Sequence, residues 1–354
     1  MDSFSQDGSS DSSLQRAATP DESVRSPQNF ETALQITIDF ALDTFKQQIE
    51  TQQLYYHGIE HVEGVARRAR LIFDTVIPFY QQAGYVPDIP WDRQRDLLQL
   101  SAIAHDMLQI FLPQSSVHTS RQRQSGHSEK ATIDRLLTFI EQINQSKAQT
   151  ANATEVALPA FTVADIALLQ EAVEATVCQY DPADGSIYQP LLYSQHRGDR
   201  ALSLVARAVA LADLGTLGIE GMTAYQREGC LLLLEENLDI LPFCHYESAL
   251  GESGMNKSVS NKPVSNKPGF DEKFTENLRQ RLLKRARFDV SFAKGRLARL
   301  DAELEGLPIG AIAALKQHVF THLTPATIQR LVEIVPTAEE SSLSELLSYF
   351  RLKT

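Results

Sequence analysis

No clear run of strict apolar–polar alternation occurs along this chain; its apolar residues recur instead at the spacing of helix faces. Leu34, Ile38, Ala41 and Phe45 fall at i, i+4, i+7 and i+11, one stripe of a helix. His61, Val65, Ala69, Ile72 and Val76 make a second stripe, and Leu98, Ala102, His105, Leu108 and Leu112 a third. Phe139 with Ile143, Ile166 with Leu169, and Ala206, Val209, Ala210 and Asp213 mark later ones. A strand buried on one face needs period two, so the pattern predicts an all-α fold.

Three stripes carry a polar residue where Leu or Ala would cost nothing. His105 and Asp106 interrupt the apolar run from Leu97 to Leu108. His61 lies four residues before Val65, on the same face as Ala69 and Ile72. Asp213 ends a face of small apolar side chains after Ala206, Val209 and Ala210. A buried carboxylate without a partner is costly or is forced to protonate, and a single His or Asp usually finds one in the backbone. Four such residues on three helices point to a shared partner, a divalent metal. Two imidazoles and two carboxylates form a mixed N/O set suited to Mn, Fe, Co, Zn or Mg.

With 354 residues, 43% hydrophobic and 22% charged, the chain can bury at least one large core. Ala201–Leu217 is interrupted by Arg207 and Asp213, and Cys230–Leu234 ends at Glu235, so no apolar stretch reaches the roughly 18 residues of a membrane span. Cys178, Cys230 and Cys244 are an odd set without ligand spacing, which fits a reducing compartment and makes the cytoplasm the default location. A net charge of −12 repels a phosphate backbone and argues against broad electrostatic binding to nucleic acid.

Residues 1–29, rich in Ser, Asp and Gln, are expected to form a disordered tail without a signal-peptide core. The main domain is expected over 30–250, with polar loops at 115–125 and 145–160. The tandem copies Val259–Pro263 and Val264–Pro268 predict a flexible insertion over 251–269. Residues 270–354 then read as a long helix with stripe Phe274, Leu278, Leu282, Ala286, Val290, Ala293, Leu297 and Leu304, followed by shorter helices near 309–320, 325–335 and 343–352. Arg279, Arg281, Lys284, Arg285, Arg287, Lys294, Arg296 and Arg299 surround that stripe. They serve a solvated face, an acidic partner, or an interface with the acidic remainder of the chain.

The order Tyr56-His57-Gly58-Ile59-Glu60-His61, then His105-Asp106, then Asp213, resembles the His, His-Asp, Asp signature of the HD-domain metal-dependent phosphohydrolase superfamily, over about Gln52 to Gly218. The resemblance implies an HD-domain helical bundle with additional C-terminal helices, metal ligands His61, His105, Asp106 and Asp213, and hydrolysis of a phosphomonoester or phosphodiester, commonly nucleotide-like. Some members instead hold two irons and oxidise a substrate. In the cyclic-nucleotide phosphodiesterase branch, a similar Tyr-His-Asn-x-x-His segment places a general acid at the first His. That role falls on His57 here, although Gly58 stands where the branch carries Asn; the bland reading is a helix-start His bonded to backbone. His127, after the polar loop, matches a place from which some members contact a second metal or the substrate; the bland reading is a solvated helix-start His, with Glu129 serving the helix dipole.

Arg123 and Lys130 border the inferred site as candidate phosphate contacts, and His118 lies in the loop. Cys178 is expected to be a buried thiol, and His196, His245, His318 and His322 structural or exposed. No Gly-Tyr-Pro signature follows the His-Asp pair, and no Walker or Gly-x-Gly-x-x-Gly loop occurs, which disfavours cyclic-di-nucleotide, NTPase and dinucleotide chemistry. The expected activity is metal-dependent hydrolysis of a small phosphorylated substrate. The rivals are an HD-type di-iron oxygenase and a catalytically silent sensor acting through the basic helix.

Overall fold

The computed structural model describes residues 29–116, 118–150, 159–197, 201–242, 245–246 and 272–353. The expected insertion and all of the expected tail except Asn29 lie outside the described residues. Asn29 is ordered: its side chain accepts the Thr32 N–H at 2.9 Å and caps the first helix.

The elements are α1 (Phe30–Gln52), α2 (Ile59–Gln82), α3 (Trp91–Ala104), α4 (His127–Thr150) and α5 (Val163–Glu174), then an antiparallel hairpin β1 (Gln179–Asp181) and β2 (Ser186–Tyr188). There follow α6 (Ser194–Arg197), α7 (Leu204–Asp213), α8 (Thr216–Glu220), α9 (Met222–Glu236) and β3 (His245–Tyr246). The C-terminal part is α10 (Glu272–Glu303), α11 (Ile309–Ala314), a π turn at Leu315–Val319, α12 (Pro325–Ile334), α13 (Leu343–Tyr349) and β4 (Leu352–Lys353), which pairs with β3. The all-α expectation holds, with these two small β pairs and an isolated antiparallel bridge between Phe111 and Arg123 as its exceptions among the described residues. No described helix is long and apolar enough to cross a membrane.

The core forms around α7, whose residues Leu204 to Ala212 are all buried. Ala206, Ala208, Ala210 and Ala212 let neighbours approach closely, and α2, α3 and α5 pack against this helix from different sides. α2 also packs on α3, so α2, α3 and α7 touch one another in pairs. Asp213 therefore ends a fully buried helix, and His61 and His105 sit on the two helices beside it.

Two expected bounds move. The stripe through Leu108 and Leu112 predicts a longer third helix, but α3 stops at Ala104 with His105 as its C-cap. Thr132 Oγ1 accepts the Leu108 N–H and Ser128 Oγ the Ile110 N–H, so hydroxyls of α4 satisfy donors that another helical turn would have used. The second loop starts late, because α4 continues to Thr150.

The basic C-terminal helix packs back on the rest of the chain. Arg281 pairs with Asp239, Arg285 with Asp289, Arg287 with Glu339, Arg296 with Glu303, and Arg299 with Asp181 and Asp184. Arg207 of α7 donates to the carbonyls of Glu303 and Glu305 at 2.7 and 2.8 Å. Arg281, Arg287 and Arg299 thus reach carboxylates outside the helix, as the reading of an interface with the acidic remainder expects, whereas Arg285 and Arg296 pair within α10.

Arg93 and Asp165 tie α3 to α5. The Asp165 carboxylate accepts Arg93 Nε–H and NH2 at 2.8 and 2.5 Å and also the Thr162 N–H at 2.7 Å, completing a capping box. Asp165 is fully buried; burial opposes its charge, and the Arg93 and Thr162 bonds overcome this and hold the pKa below the ordinary carboxylate value. Asp165→Ala is expected to lower stability by about 3 kcal/mol in urea unfolding at pH 7, because it strands a partly buried guanidinium. A folded-state pKa below the unfolded one adds stability at neutral pH that is lost as pH falls through the acid range, so the deficit shrinks on acidification. A loss that does not vary with pH would show that the charge pair is not its source.

Candidate metal centre

The three mutually packed helices bring their ligand-bearing ends together. His61 lies in the first turn of α2, His105 caps the C-terminus of α3 with Asp106 next in sequence, and Asp213 is the last residue of α7. The C-terminal ends of α3 and α7 carry partial negative charge, which favours a cation between them. Beyond Asp213 the chain turns at once into α8. A Cβ on Gly215 would lie 2.6 Å from the Leu211 carbonyl, so only glycine allows that turn.

His105 Nε2 is 3.0 Å from Asp106 Oδ2 and 3.5 Å from Asp213 Oδ1; His61 Nε2 is 3.3 and 3.6 Å from the same two oxygens. One donor atom from each residue lies within 4.8 Å of the others. Ligands about 2.1 Å from a common ion are separated by roughly 3 to 4.2 Å, and the four nitrogen–oxygen separations fall in that range.

The remaining polar atoms show which lone pairs are on offer. His105 Nδ1–H donates to the Ala102 carbonyl at 2.9 Å, which fixes the tautomer and leaves Nε2 as the free lone pair. Gln109 donates to Asp106 Oδ1 and Gln189 to Asp213 Oδ2, each at 3.0 Å, leaving Asp106 Oδ2 and Asp213 Oδ1 for the cluster. His61 Nε2 and His105 Nε2 are buried, and no donor or acceptor is aligned with either. Such orphaned atoms cost about 1–3 kcal/mol each unless a further group satisfies them, and a divalent cation among these donors does so.

Electrostatics point the same way. Burial opposes charge on both histidines, yet the two carboxylates outweigh it, raising His61 and placing His105 well above the ordinary imidazole value. Asp106 and Asp213 are held well below the carboxylate range, burial again being overcome by the imidazoles. Positive charge is what this cluster attracts.

His57 stands beside the cluster, its Nε2 3.8 Å from Asp106 Oδ2. It precedes α2 and does not lie on it, so its ring is aimed by other means. Glu235, fully buried on α9, accepts His57 Nδ1–H at 2.5 Å with one oxygen and the N–H groups of Tyr55, Tyr56 and His57 at 3.0 Å with the other. Burial would raise the Glu235 carboxyl, but His57, Arg123 and the backbone donor hold it down at about 2. Arg123 NH1, which can only donate, lies 2.8 Å from His57 Nε2, so in this arrangement Nδ1 carries the proton and the Nε2 lone pair accepts from Arg123.

His57, Asp106 and Asp213 border a cavity of about 840 Å³, which is lined further by the 120–125 loop, α9 and α10. Of the other expected site residues, Arg123 lies in the cavity wall, whereas Lys130 is exposed and paired with Asp134 at 3.0 Å. His127 starts α4 as expected but is exposed and does not line the cavity; Glu129 one half-turn later does, and its burial raises its pKa. His118 bonds Asp239 at 3.0 Å, on the far side of the loop. Cys178 lines the cavity with its thiol pushed well up by burial, which keeps it protonated and unreactive.

Glu235, Gln109 and Gln189 escape the sequence reading. The only signal for Glu235 is a carboxylate ending the apolar run Cys230–Leu234, and the adjoining Glu236 and Asn237 make it look like an ordinary helix end. Compared with family models, curated proteins and solved structures, the chain matches none.

Proposed function

We propose that this chain is a metal-dependent phosphohydrolase of the HD type, acting on a small phosphomonoester or phosphodiester. The observation that carries the reading is the convergence of four lone-pair-bearing atoms from three helices beside a His-Glu pair at the floor of a large cavity. When bound, a divalent ion would supply Lewis-acid polarisation of a phosphoryl oxygen and acidification of water. His61, His105, Asp106 and Asp213 would hold it; Gln109 and Gln189 each occupy one carboxylate oxygen and leave the other for it. His57 is the group that would exchange a proton with the leaving oxygen, and Glu235 fixes its ring. Arg123 is the cation placed to meet a phosphoryl oxygen.

The donor set also suits iron, so an oxygenase is the rival that the chemistry of these residues favours next. A silent sensor working through the basic helix has less support, because most of that helix's arginines are taken up within the chain.

The test is metal analysis of the purified protein, followed by separate loading with Mn, Fe, Co, Zn and Mg and assay against phosphomonoesters, phosphodiesters and nucleotides, with oxygen uptake monitored. About one or two bound ions and metal-dependent phosphate release are expected. Oxygen consumption without phosphate release would replace this reading with the redox one, and a protein that takes up no ion would overturn both.

A further inference from the structure

α10 presents one face to the cavity. Arg281, Lys284, Arg285, Phe288 and Phe292 all line it, at i, i+3, i+4, i+7 and i+11, a strip about 16 Å long. Cations occupy its N-terminal half and aromatic rings its C-terminal half. The rings form a continuous wall: Phe288 stacks on Phe292 and Phe292 on Tyr225 of α9, each with ring centroids 6.0 Å apart, and the Arg285 guanidinium lies 5.3 Å from the Phe288 centroid.

The cations differ in what already occupies them. Arg281 gives both terminal nitrogens to Asp239 and Asn237. Arg285 has its Nε 2.8 Å from Asp289 Oδ1, a carboxylate buried behind it, while no described residue accepts a hydrogen bond from its terminal nitrogens. Gly229 makes room for this pair, since a Cβ there would lie 3.3 Å from Asp289 Oδ2 and 3.5 Å from Arg285 NH2. Lys284 is exposed and has no carboxylate partner among the described residues. Besides Asp106 and Asp213 of the cluster and Glu129, two carboxylates of α9 line the cavity: Glu228 lies 3.7 Å from Arg68, and Glu236, whose pKa burial raises, is countered by Arg285 and Arg123. Among the described residues, Lys284 is thus the one lining cation of α10 with no counter-charge of its own.

We infer that Lys284, with Arg285 beside it, forms an anion subsite that reads a second negatively charged group on the ligand, separated from the scissile phosphate by an apolar or aromatic body lying on the Phe288–Phe292 wall. The inference rests on the phosphohydrolase reading for the identity of the first group. A phosphate alone leaves most of 840 Å³ unfilled, and a strip that changes from aromatic to cationic suits an aryl or alkyl body ending in a carboxylate or phosphate.

The experiment uses the full chain loaded with Mn and four esters: phenyl phosphate and 4-carboxyphenyl phosphate, and the longer biphenyl-4-yl phosphate and 4′-carboxybiphenyl-4-yl phosphate. Affinity is measured by calorimetry with their non-hydrolysable phosphonates, and kcat/KM with the esters. At least one carboxylated compound is expected to bind about 10-fold more tightly than its counterpart without the carboxylate, as a charge-assisted contact provides. In Lys284→Met that ratio collapses towards one, and Lys284→Arg restores it. Equal affinity for compounds with and without the carboxylate in the wild type, or a preference that Lys284→Met leaves intact, would overturn the subsite. A Lys284-dependent affinity ratio without any phosphate release would leave the subsite standing and remove the hydrolase reading.

Discussion

Asp106→Ala protein is expected to lose its metal and, with it, about 1,000-fold or more in phosphate release. Asp106 Oδ2 is the atom nearest both imidazoles, 3.0 Å from His105 Nε2 and 3.3 Å from His61 Nε2. Removing it leaves three donors and takes away half of the anionic charge in the cluster. Losing only an outer-shell partner of a metal costs about 10–100-fold in affinity, so loss of a ligand should cost at least the upper end of that range. Lewis-acid stabilisation is worth several kcal/mol, which sets the scale of the rate effect. The decisive measurement is bound metal per chain beside activity, with far-UV circular dichroism to show that the helices persist. A folded Asp106→Ala protein with full metal content would remove this residue from the site.

Glu235 should produce the second large effect, and two substitutions separate its two duties. Glu235→Ala leaves three backbone N–H groups and His57 Nδ1–H without their acceptor in a buried setting, and is expected to cost about 3 kcal/mol or more in unfolding free energy. The pKa gives a similar scale: a carboxyl held at about 2 against an ordinary 4.5 corresponds to roughly 3 kcal/mol. Because the folded value is the lower one, this contribution is present above about pH 4.5 and fades as pH falls towards 2. Glu235→Gln can keep an oxygen for the backbone donors, but it can turn its amide N–H on His57 Nδ1. The imidazole proton then moves to Nε2, where it faces Arg123 NH1, 2.8 Å away. Glu235→Gln is therefore expected to retain most of the stability and lose about 100-fold or more in kcat. Equal, small losses in both variants would mean that His57 is aimed by something other than this carboxylate.

The sequence makes the centre legible for a simple reason. His61, His105 and Asp213 occupy positions on apolar helical faces, so a ligand set buried between helices leaves visible defects in periodic stripes. Glu235 serves the same site from the end of a helix, where carboxylates are common, and its value comes from contacts about 180 residues away in sequence. Gln109 and Gln189 are equally silent, because an amide is unremarkable until its partner is known. The end of α3 is not legible in the sequence because Leu108 and Leu112 continue the spacing while Ser128 and Thr132 supply the hydroxyls that end the helix, a tertiary cause without local trace. His127 and Glu129 differ by a half-turn at the start of α4, and only the path of the preceding loop decides which of them reaches the cavity.

The four donor atoms belong to residues spread from His61 to Asp213, so the unfolded chain contains no pre-assembled site. An ion bound there shifts the folding equilibrium by mass action, and each tenfold rise in free metal above its dissociation constant adds about 1.4 kcal/mol in favour of the native state. The melting temperature should then follow the metal concentration, and a chelator should act on this protein as a denaturant does. In a cell, the metal supply would set how much of the chain is folded as well as how fast it turns over.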